Sequence, residues 1–466
     1  MPLSTDKMNS YITACAVGSP SSLQNQQLNG AIDGLNSAAV GYSVSNLASL
    51  PAAECNIGRF VFVEDCGAYR YSDGSEWTNS YDTTLVQTPA IYSIGQNKCG
   101  EHATNDVVNH TTIQREFTLS CWSDVVSEEC IVGGLKTDGT IWSWGKGALF
   151  ASHGNNLDYN QKYSSPVQEY CSATNWCLLN RDNYSTVAIK TDGTLWGWGY
   201  NFGNLMLNTC GFLATGYYRP YQEYTSSTNW CYASPSASVH YGIKTDGTMW
   251  VAGCNFQNGR GMVPDPSVNL SSPVQEVSSS TNWCYVGAGG HNHIAALKTD
   301  GTLWSAGCFS YGVLGINDAA ANVSSPVQEV SSSTNWCTLS LANLYRTNAI
   351  KTDGTLWGWG CNANGAIGDG TALKRSSPVQ EITSSTNWCY VAAGAGYTTK
   401  AIKTDGTLWG WGLWCCCIFG ADQAANGCAS SPVCINLGNN DWTVISRSGT
   451  LSTTGIRTLQ TGFSEP

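Results

Sequence analysis

The chain has 466 residues, only 12% of them charged, with 22 Lys and Arg against 33 Asp and Glu and a net charge of −11. That balance, with no run of Lys or Arg to override it, argues against a phosphate-binding nucleic-acid face. Abundant Gly, Ser, Asn and Thr suit an extracellular or virion-surface β protein.

In chain order, Met1 to Tyr11 is polar and lacks the apolar core of a secretory signal. Leu23 to Leu35 reads as one short helix within a docking segment, 1–42. Residues 43–105 read as a small β module in which Phe60 to Val63 and Ala68 to Tyr71 form a hairpin. From 106 to 466 the chain is repetitive. Trp122, Trp176, Trp230, Trp283, Trp336, Trp388 and Trp442 stand 54, 54, 53, 53, 52 and 54 residues apart. Lys-Thr-Asp-Gly-Thr keeps the same beat from Lys136, Lys190, Lys244, Lys298, Lys351 and Lys403. Self-similarity at this period marks a repeat architecture.

Each repeat reads as four short antiparallel strands. In the fifth, Cys337 to Leu341 and Thr347 to Lys351 precede the turn Thr352-Asp353-Gly354-Thr355. Leu356 to Gly360 and Ser377 to Glu381 follow it. Asp-Gly between β-formers is a strong hairpin signal, because Gly accepts the positive φ that the turn requires. Four strands in about 40–50 residues is the size of a propeller blade. The expected fold is therefore all-β, a seven-bladed β-propeller with a small N-terminal attachment region, six blades being the alternative. The last repeat is short, and Thr112 to Glu116 stands where later repeats carry Pro-Val-Gln-Glu. Strand 111–117 is accordingly expected to complete the last blade and close the ring, removing the open edges of an array.

The string Ala349 to Gly360, with Asn362-Ala363-Asn364-Gly365-Ala366-Ile367-Gly368-Asp369-Gly370 behind it, resembles the repeat of the regulator of chromosome condensation family. The likeness covers about residues 111 to 460 in six near-copies. It implies a seven-bladed propeller strongly and a function weakly, since such scaffolds host exchange factors, inhibitors and adhesins. Upstream, Asn46 to Pro51, Gly58 to Asp65 and Gly67 to Trp77 are similar to a small module of marine bacteriophage tail-fibre and other structural proteins.

Cysteine is abundant, at 21 residues. Cys177, Cys231, Cys284, Cys337 and Cys389 follow the marker Trp and read as small buried hydrophobes. Disulfides remain open for Cys55 with Cys66 and among Cys415, Cys416, Cys417, Cys428 and Cys434. No Cys-x-x-Cys pair faces another at zinc-ligand spacing, so no metal is expected. No cofactor or catalytic group is expected either. The turn residues Asp138, Asp192, Asp246, Asp300, Asp353 and Asp405 are one per blade and cap their own backbones. His291-Asn292-His293 reads as a solvated loop. Leu408 to Ala421 is too short to span a membrane.

Binding is expected on one face only. The turns between strands two and three and the links between blades barely vary. The connections after strand three (Lys146 to Tyr163, Tyr200 to Tyr218, Cys254 to Leu270, Cys308 to Val323) and after strand one (Asn180 to Thr186, Ser234 to His240, Leu341 to Arg346) are individual. The candidate recognition residues there are Tyr159, Tyr163, Tyr184, Phe202, Tyr217, Tyr218, Tyr241, Phe256, Arg260, Phe309, Tyr311, Tyr345, Arg346 and Tyr397. Rigid aromatics with adaptable polar neighbours make recognition surfaces. The expected function is a non-enzymatic virion structural protein, a tail fibre, adhesin or decoration protein, found on the virion and outside the cell after lysis. Its expected partners are other virion proteins through the N-terminal region and a host-surface glycan or protein through the variable face. Homo-oligomerisation is an option, and nucleic acid and membrane insertion are not expected. The alternative is a soluble regulatory or inhibitor-type protein-binding propeller.

Overall fold

The computed structural model describes residues 89–457 apart from 117–120, 129, 147–152, 158–160, 183–184, 201–215, 237–238, 254–269, 290–292, 318–321, 343–344, 395–396, 416–425, 436–439 and 447–451, and before them the backbone of four short strands. Those four form a sheet of their own. Ser43–Val44 runs parallel to Phe60–Val63, which pairs antiparallel with Ala68–Ser72, and that strand pairs with Trp77–Asn79. The helix expected over Leu23 to Leu35 lies outside the described residues.

Seven four-stranded antiparallel sheets form the ring, a seven-bladed β-propeller. Blades 1 to 6 start at the tryptophans from Trp122 to Trp388. Blade 5 is typical, with Trp336–Ala342, Arg346–Lys351, Leu356–Gly360 and Arg375–Gln380 in spatial order. First strands of neighbouring blades pack on one another and line the centre, while fourth strands lie outermost and half-exposed. The core is apolar and aromatic because both sheet faces are covered by the neighbouring blades. Trp336 is buried against Trp357 and Trp359, with ring centroids 6.3 and 5.9 Å away.

The first strand carries a bulge in each blade, directly after its tryptophan. In blade 5, Trp336 pairs with Lys351 but Thr338 with Ile350, which leaves Cys337 as the extra residue. Its thiol donates to the Ile350 carbonyl oxygen at 3.3 Å. Cys177, Cys231, Cys284 and Cys389 do the same in their blades. Ser123 and Thr443 replace them in blades 1 and 7 and donate through their hydroxyls. The repeated position thus needs a small donor, where the sequence suggested only a small hydrophobe.

Blade 7 closes the ring with two strands from each end of the repeat array. Its order is Trp442–Ile445, Ser452–Arg457, Ala90–Gly95, His110–Arg115. Strand His110–Arg115 stands in the last blade, and Ala90–Gly95 joins it there, ahead of the boundary expected at residue 106. The C-terminal side thus supplies two strands of this blade and the N-terminal side the other two. A signal for this was present. Asn97 and Gly100 repeat the spacing of Asn362 and Gly365, and both asparagines accept a backbone N–H five residues on, from His102 at 2.9 Å and Ile367 at 2.8 Å.

Candidate recognition face

On the face that carries the Thr-Asp-Gly-Thr turns, the periodic side chains serve ring closure. In blade 5, Asp353 Oδ1 accepts from the Thr355 N–H at 3.0 Å and from its hydroxyl at 2.6 Å. The Thr355 oxygen in turn accepts from Trp357 Nε1 at 2.8 Å. The Gly354 carbonyl accepts the Trp388 N–H of blade 6 at 3.0 Å. Glu381 is buried in the interblade link and accepts from the Thr383 and Ser385 N–H groups and from Trp388 Nε1. Lys351 lies over Trp336 and Trp357, its Nζ 4.7 and 4.5 Å from the ring centres, and donates to Ser333 Oγ at 2.9 Å. The turn carboxylates are capping groups. At Asp246 the hydrogen bond from the Thr248 hydroxyl, outweighing burial, holds the carboxyl below its ordinary value.

The opposite face is built differently. After strand three of blades 4, 5 and 7 the chain turns back and fills the wedge against the next blade. In blade 4 the Val313 carbonyl accepts from Trp359 Nε1 at 2.8 Å and from Thr347 Oγ1 at 3.2 Å, both in blade 5. In blade 5 the Ala366 carbonyl takes Trp411 Nε1 and Thr399 Oγ1 in the same way. In blade 7 the Glu101 carbonyl takes Trp144 Nε1 at 2.9 Å. The blade 4 connection, expected within Cys308 to Val323 as a display loop, is thus a latch on the next blade, and those of blades 5 and 7 are built the same way.

The described candidates therefore fall into three groups. Tyr241 and Arg346 are buried at 4% and 0% exposure, a correction of their assignment to the surface. Both lie on strand two of their blades, on the side that packs against the next blade. Tyr163, Tyr217 and Tyr218 stand half-buried on outer fourth strands. Around Tyr217, Arg219 lies over Tyr170 and Tyr221 at 5.7 and 5.2 Å. Phe309, Tyr311, Tyr345 and Tyr397 are on the variable face itself. Tyr159, Tyr184, Phe202, Phe256 and Arg260 lie outside the described residues.

One corner draws several of these residues together. The rings of Tyr311 in blade 4 and Tyr345 in blade 5 are 5.3 Å apart, and Tyr345 stacks on His293 at 6.4 Å. Tyr311 is 53% exposed. Both tyrosines have left-handed backbones, with φ of 61° and 50°. Asn364 holds the place of Tyr311 in blade 5 with φ 62°. Asn tolerates that conformation through its short polar side chain, whereas a bulky residue is strained there. The Tyr345 phenol is pushed up by burial, then by Cys308 and Tyr311.

Arg346, next in the chain to Tyr345, turns instead to the following seam, where its Nη2 donates to the Thr398 carbonyl of blade 6 at 2.7 Å and its Nε donates to Asn348 Oδ1 at 3.3 Å. Burial lowers its guanidinium to about 10 despite Cys361 and Tyr397 nearby. His293, read from sequence as solvated, is 2% exposed. Strand-two register would have found it, since Ala296-Leu297-Lys298 aligns with Ala349-Ile350-Lys351 and puts His293 at the Arg346 position. The corner offers aromatic surface and phenol hydroxyls backed by the buried His293 ring, a set suited to binding. Among the described residues no group of three or more His, Cys, Asp and Glu side chains could hold a metal ion. No described helix is long and apolar enough to cross a membrane.

Comparison with known proteins places this geometry. Residues 353–399 match the regulator of chromosome condensation (RCC1) repeat. The RCC1 domain-containing protein RUG3, mitochondrial, of Arabidopsis thaliana is 27% identical over 298 residues, 60% of this chain and 62% of that protein. The chain thus spans about three fifths of the length of this curated relative. Among solved structures, Prp20p from Saccharomyces cerevisiae superposes with TM-score 0.67 at 17% identity, over 81% of this chain and 93% of Prp20p. Human WBSCR16 does so with TM-score 0.66 at 12% identity, over 79% and 99%. These likenesses fall on cellular RCC1-like proteins of plant, yeast and human origin. They overturn the expectation of a virion structural protein and of a virion location, and leave the tail-fibre likeness, virion partners and a host glycan without support. By repeat and by ring, the chain is an RCC1-like seven-bladed propeller.

Proposed function

We propose that this chain is a regulatory, protein-binding propeller that engages a partner protein through the corner built by Tyr311 and Tyr345. The observation that carries the reading is the exposure of Tyr311 in a strained backbone. An exposed ring contributes little to packing, and its internal counterpart Asn364 fits the same φ without strain. Local strain at an exposed aromatic is the mark of a contact residue, and Tyr is enriched where binding energy concentrates. The opposite face has its periodic groups committed to ring closure.

Related propellers support a protein partner. Prp20p is described with binding properties to Gsp1p and histones, and yeast RCC1 with Kap60 bound. A net charge of −11 favours a protein over nucleic acid here. The action is binding and release, with His293 supporting the rim from below.

The test is affinity capture with the full chain and with Tyr311→Ala/Tyr345→Ala, followed by reconstitution with each purified protein captured by the wild type alone. Expected is a loss of affinity of at least about tenfold, the scale of an interface aromatic. A partner bound equally well by the double variant would overturn the assignment of this corner.

A further inference from the structure

The variable face repeats one meeting point at successive blade seams, and at the closing seam that point is occupied by two cysteines. Three backbone landmarks establish the equivalence. Gly100, Gly312 and Gly365 all have positive φ, at 82°, 78° and 75°. A Cβ on each would strike the backbone of Ser164, Ser376 and Ser430 in the next blade. Across the seam, the carbonyls of Cys130, Tyr345 and Tyr397 accept the N–H groups of Lys146, Cys361 and Leu413 at 2.8, 2.7 and 2.8 Å. The residue before each latch glycine therefore faces the residue that opens strand two of the next blade. At the blade 4–5 seam that pair is Tyr311 and Tyr345. At the blade 7–1 seam it is Cys99 and Cys130.

The two thiols are therefore neighbours across the seam, close enough for Cys130 to lower the Cys99 thiol, and neither is in a disulfide. Their backbones are held from both sides. The Cys99 N–H donates to Glu101 Oε2 at 2.7 Å, the Glu101 carbonyl takes Trp144 Nε1, and the Asn105 N–H donates to the Ser164 carbonyl at 2.8 Å. A rigid pair of adjacent thiols loses little freedom on bonding. Cys99 is 8% exposed, whereas Cys130 is only partly buried. The charged groups around them are Glu101, Lys146 and Lys162. The hydrogen bond from Cys130, against burial and Glu101 and with Lys162 and Lys146, holds the Cys99 thiol below its ordinary value. An accessible thiol beside a buried one places an attacking cysteine next to a resolving one.

We propose that Cys99 and Cys130 form a reversible disulfide, made by exchange with a low-molecular-weight disulfide such as oxidised glutathione, which fastens the blade 7 latch to blade 1. With the shared proton moved to Cys99, the more exposed Cys130 thiolate attacks one sulfur of the small disulfide, forming a mixed disulfide and expelling one glutathione thiolate. The Cys99 thiolate then attacks the Cys130 sulfur and expels the second. Two protein thiols are oxidised, one small disulfide is reduced to two thiols, and their two protons pass to the leaving thiolates. The site is independent of the Tyr311 corner and lies at the seam where both ends of the repeat array share a blade.

The experiment equilibrates the full chain in glutathione buffers from fully reduced to fully oxidised, blocks remaining thiols by alkylation and maps digested peptides by mass spectrometry. Expected is a peptide pair linked through Cys99 and Cys130, lighter by about 2 Da than the reduced pair through loss of two hydrogens. It should disappear on adding reductant and be absent from Cys99→Ser and from Cys130→Ser, while Cys121→Ser keeps it. In Cys99→Ser, Cys130 should stop at the mixed disulfide with glutathione. Circular dichroism of both serine variants reports folding, and Cys130→Ser, at the more exposed thiol, stands in if Cys99→Ser fails to fold. Absence of the linked pair in the most oxidised buffer, or an equal yield of mixed disulfide in wild type and Cys99→Ser, would overturn the proposal.

Discussion

Arg457 donates through Nε to Asp441 Oδ1 at 2.7 Å, and both side chains are buried at the closing blade. Their counterparts in blade 6 are Lys403 and Asn387, with Lys403 over Trp388 and Trp409. In blade 7 the third strand comes from the other end of the array and brings Tyr92 in place of the second tryptophan. Arg457 lies over Tyr92 and Trp442 at 4.5 and 5.6 Å. Where the two ends meet, the ion pair is therefore added to a cation–aromatic cage that the other blades form with Lys alone. Asp441→Asn should cost about 3–5 kcal/mol, because it strands a buried guanidinium. Asp441→Asn with Arg457→Lys should recover a large part of that loss, since it restores the combination of the other blades. Urea unfolding of the two variants checks both, and a double variant no better than the single would refute the cage argument.

The bulge cysteines make a graded prediction. Cys337→Ser keeps a donor for the Ile350 carbonyl, as Ser123 does for Leu135, and should change stability by less than about 0.5 kcal/mol. Cys337→Ala removes the donor and should cost about 1 kcal/mol. Equal costs in denaturant unfolding would mean that the thiol serves only as volume.

Turn glycines are less forgiving. Gly354 has φ 77°, and an added Cβ would collide with the Thr386 carbonyl oxygen of the interblade link. Gly354→Ala should lower stability by more than about 2 kcal/mol, combining left-handed strain with displacement of that link. Thermal unfolding of the variant, compared with Gly427→Ala where a Cβ meets nothing within 4 Å, separates the collision from a general glycine effect.

Buried neutral histidines predict acid sensitivity. Burial lowers His240 to about 4 and His102, with His110 adding to the effect, to about 4. Burial and then Arg181 lower His153 to about 3. Each folded value lies below the unfolded one of about 6.5, so the unfolded chain binds more protons as pH falls. Stability should therefore be full above about pH 6.5 and fall progressively between there and about pH 4, by up to roughly 3 kcal/mol for a fully buried ring. His240→Val, which copies Val132 at the same place in blade 1, should flatten part of that limb. An acid limb unchanged in His240→Val would show that other groups set it.

Tyr311 separates folding from binding. Tyr311→Asn puts the blade 5 residue into blade 4, where φ is 61°. Stability should rise by about 0.5–1 kcal/mol as backbone strain is relieved, while affinity for the captured partner falls. A variant that loses stability instead would mean that the Tyr311 ring is held for packing on Tyr345.

Much of the fold was legible because a propeller is a local pattern repeated. The Asp-Gly turns, the tryptophan beat and the seven blades each depend on residues within one repeat. The candidate face was legible more coarsely. Tyr311, Tyr345 and Tyr397 do reach it, but side-chain direction follows from strand register and not from loop membership. Tyr241 and Arg346 therefore turned inward, and His293 was taken for a loop residue although it opens a strand.

By itself the sequence determined the blade unit, its number and the residues each turn and bulge demands, since those are requirements of backbone geometry met by neighbours in the chain. Only the tertiary structure decided the contacts across seams. The two-plus-two closure through Ala90–Gly95, the latches on the next blade's tryptophans, and the meetings of Tyr311 with Tyr345 and Cys99 with Cys130 all join residues from different blades. Their geometry is set by how twisted sheets pack around a closed ring, which no local periodicity encodes.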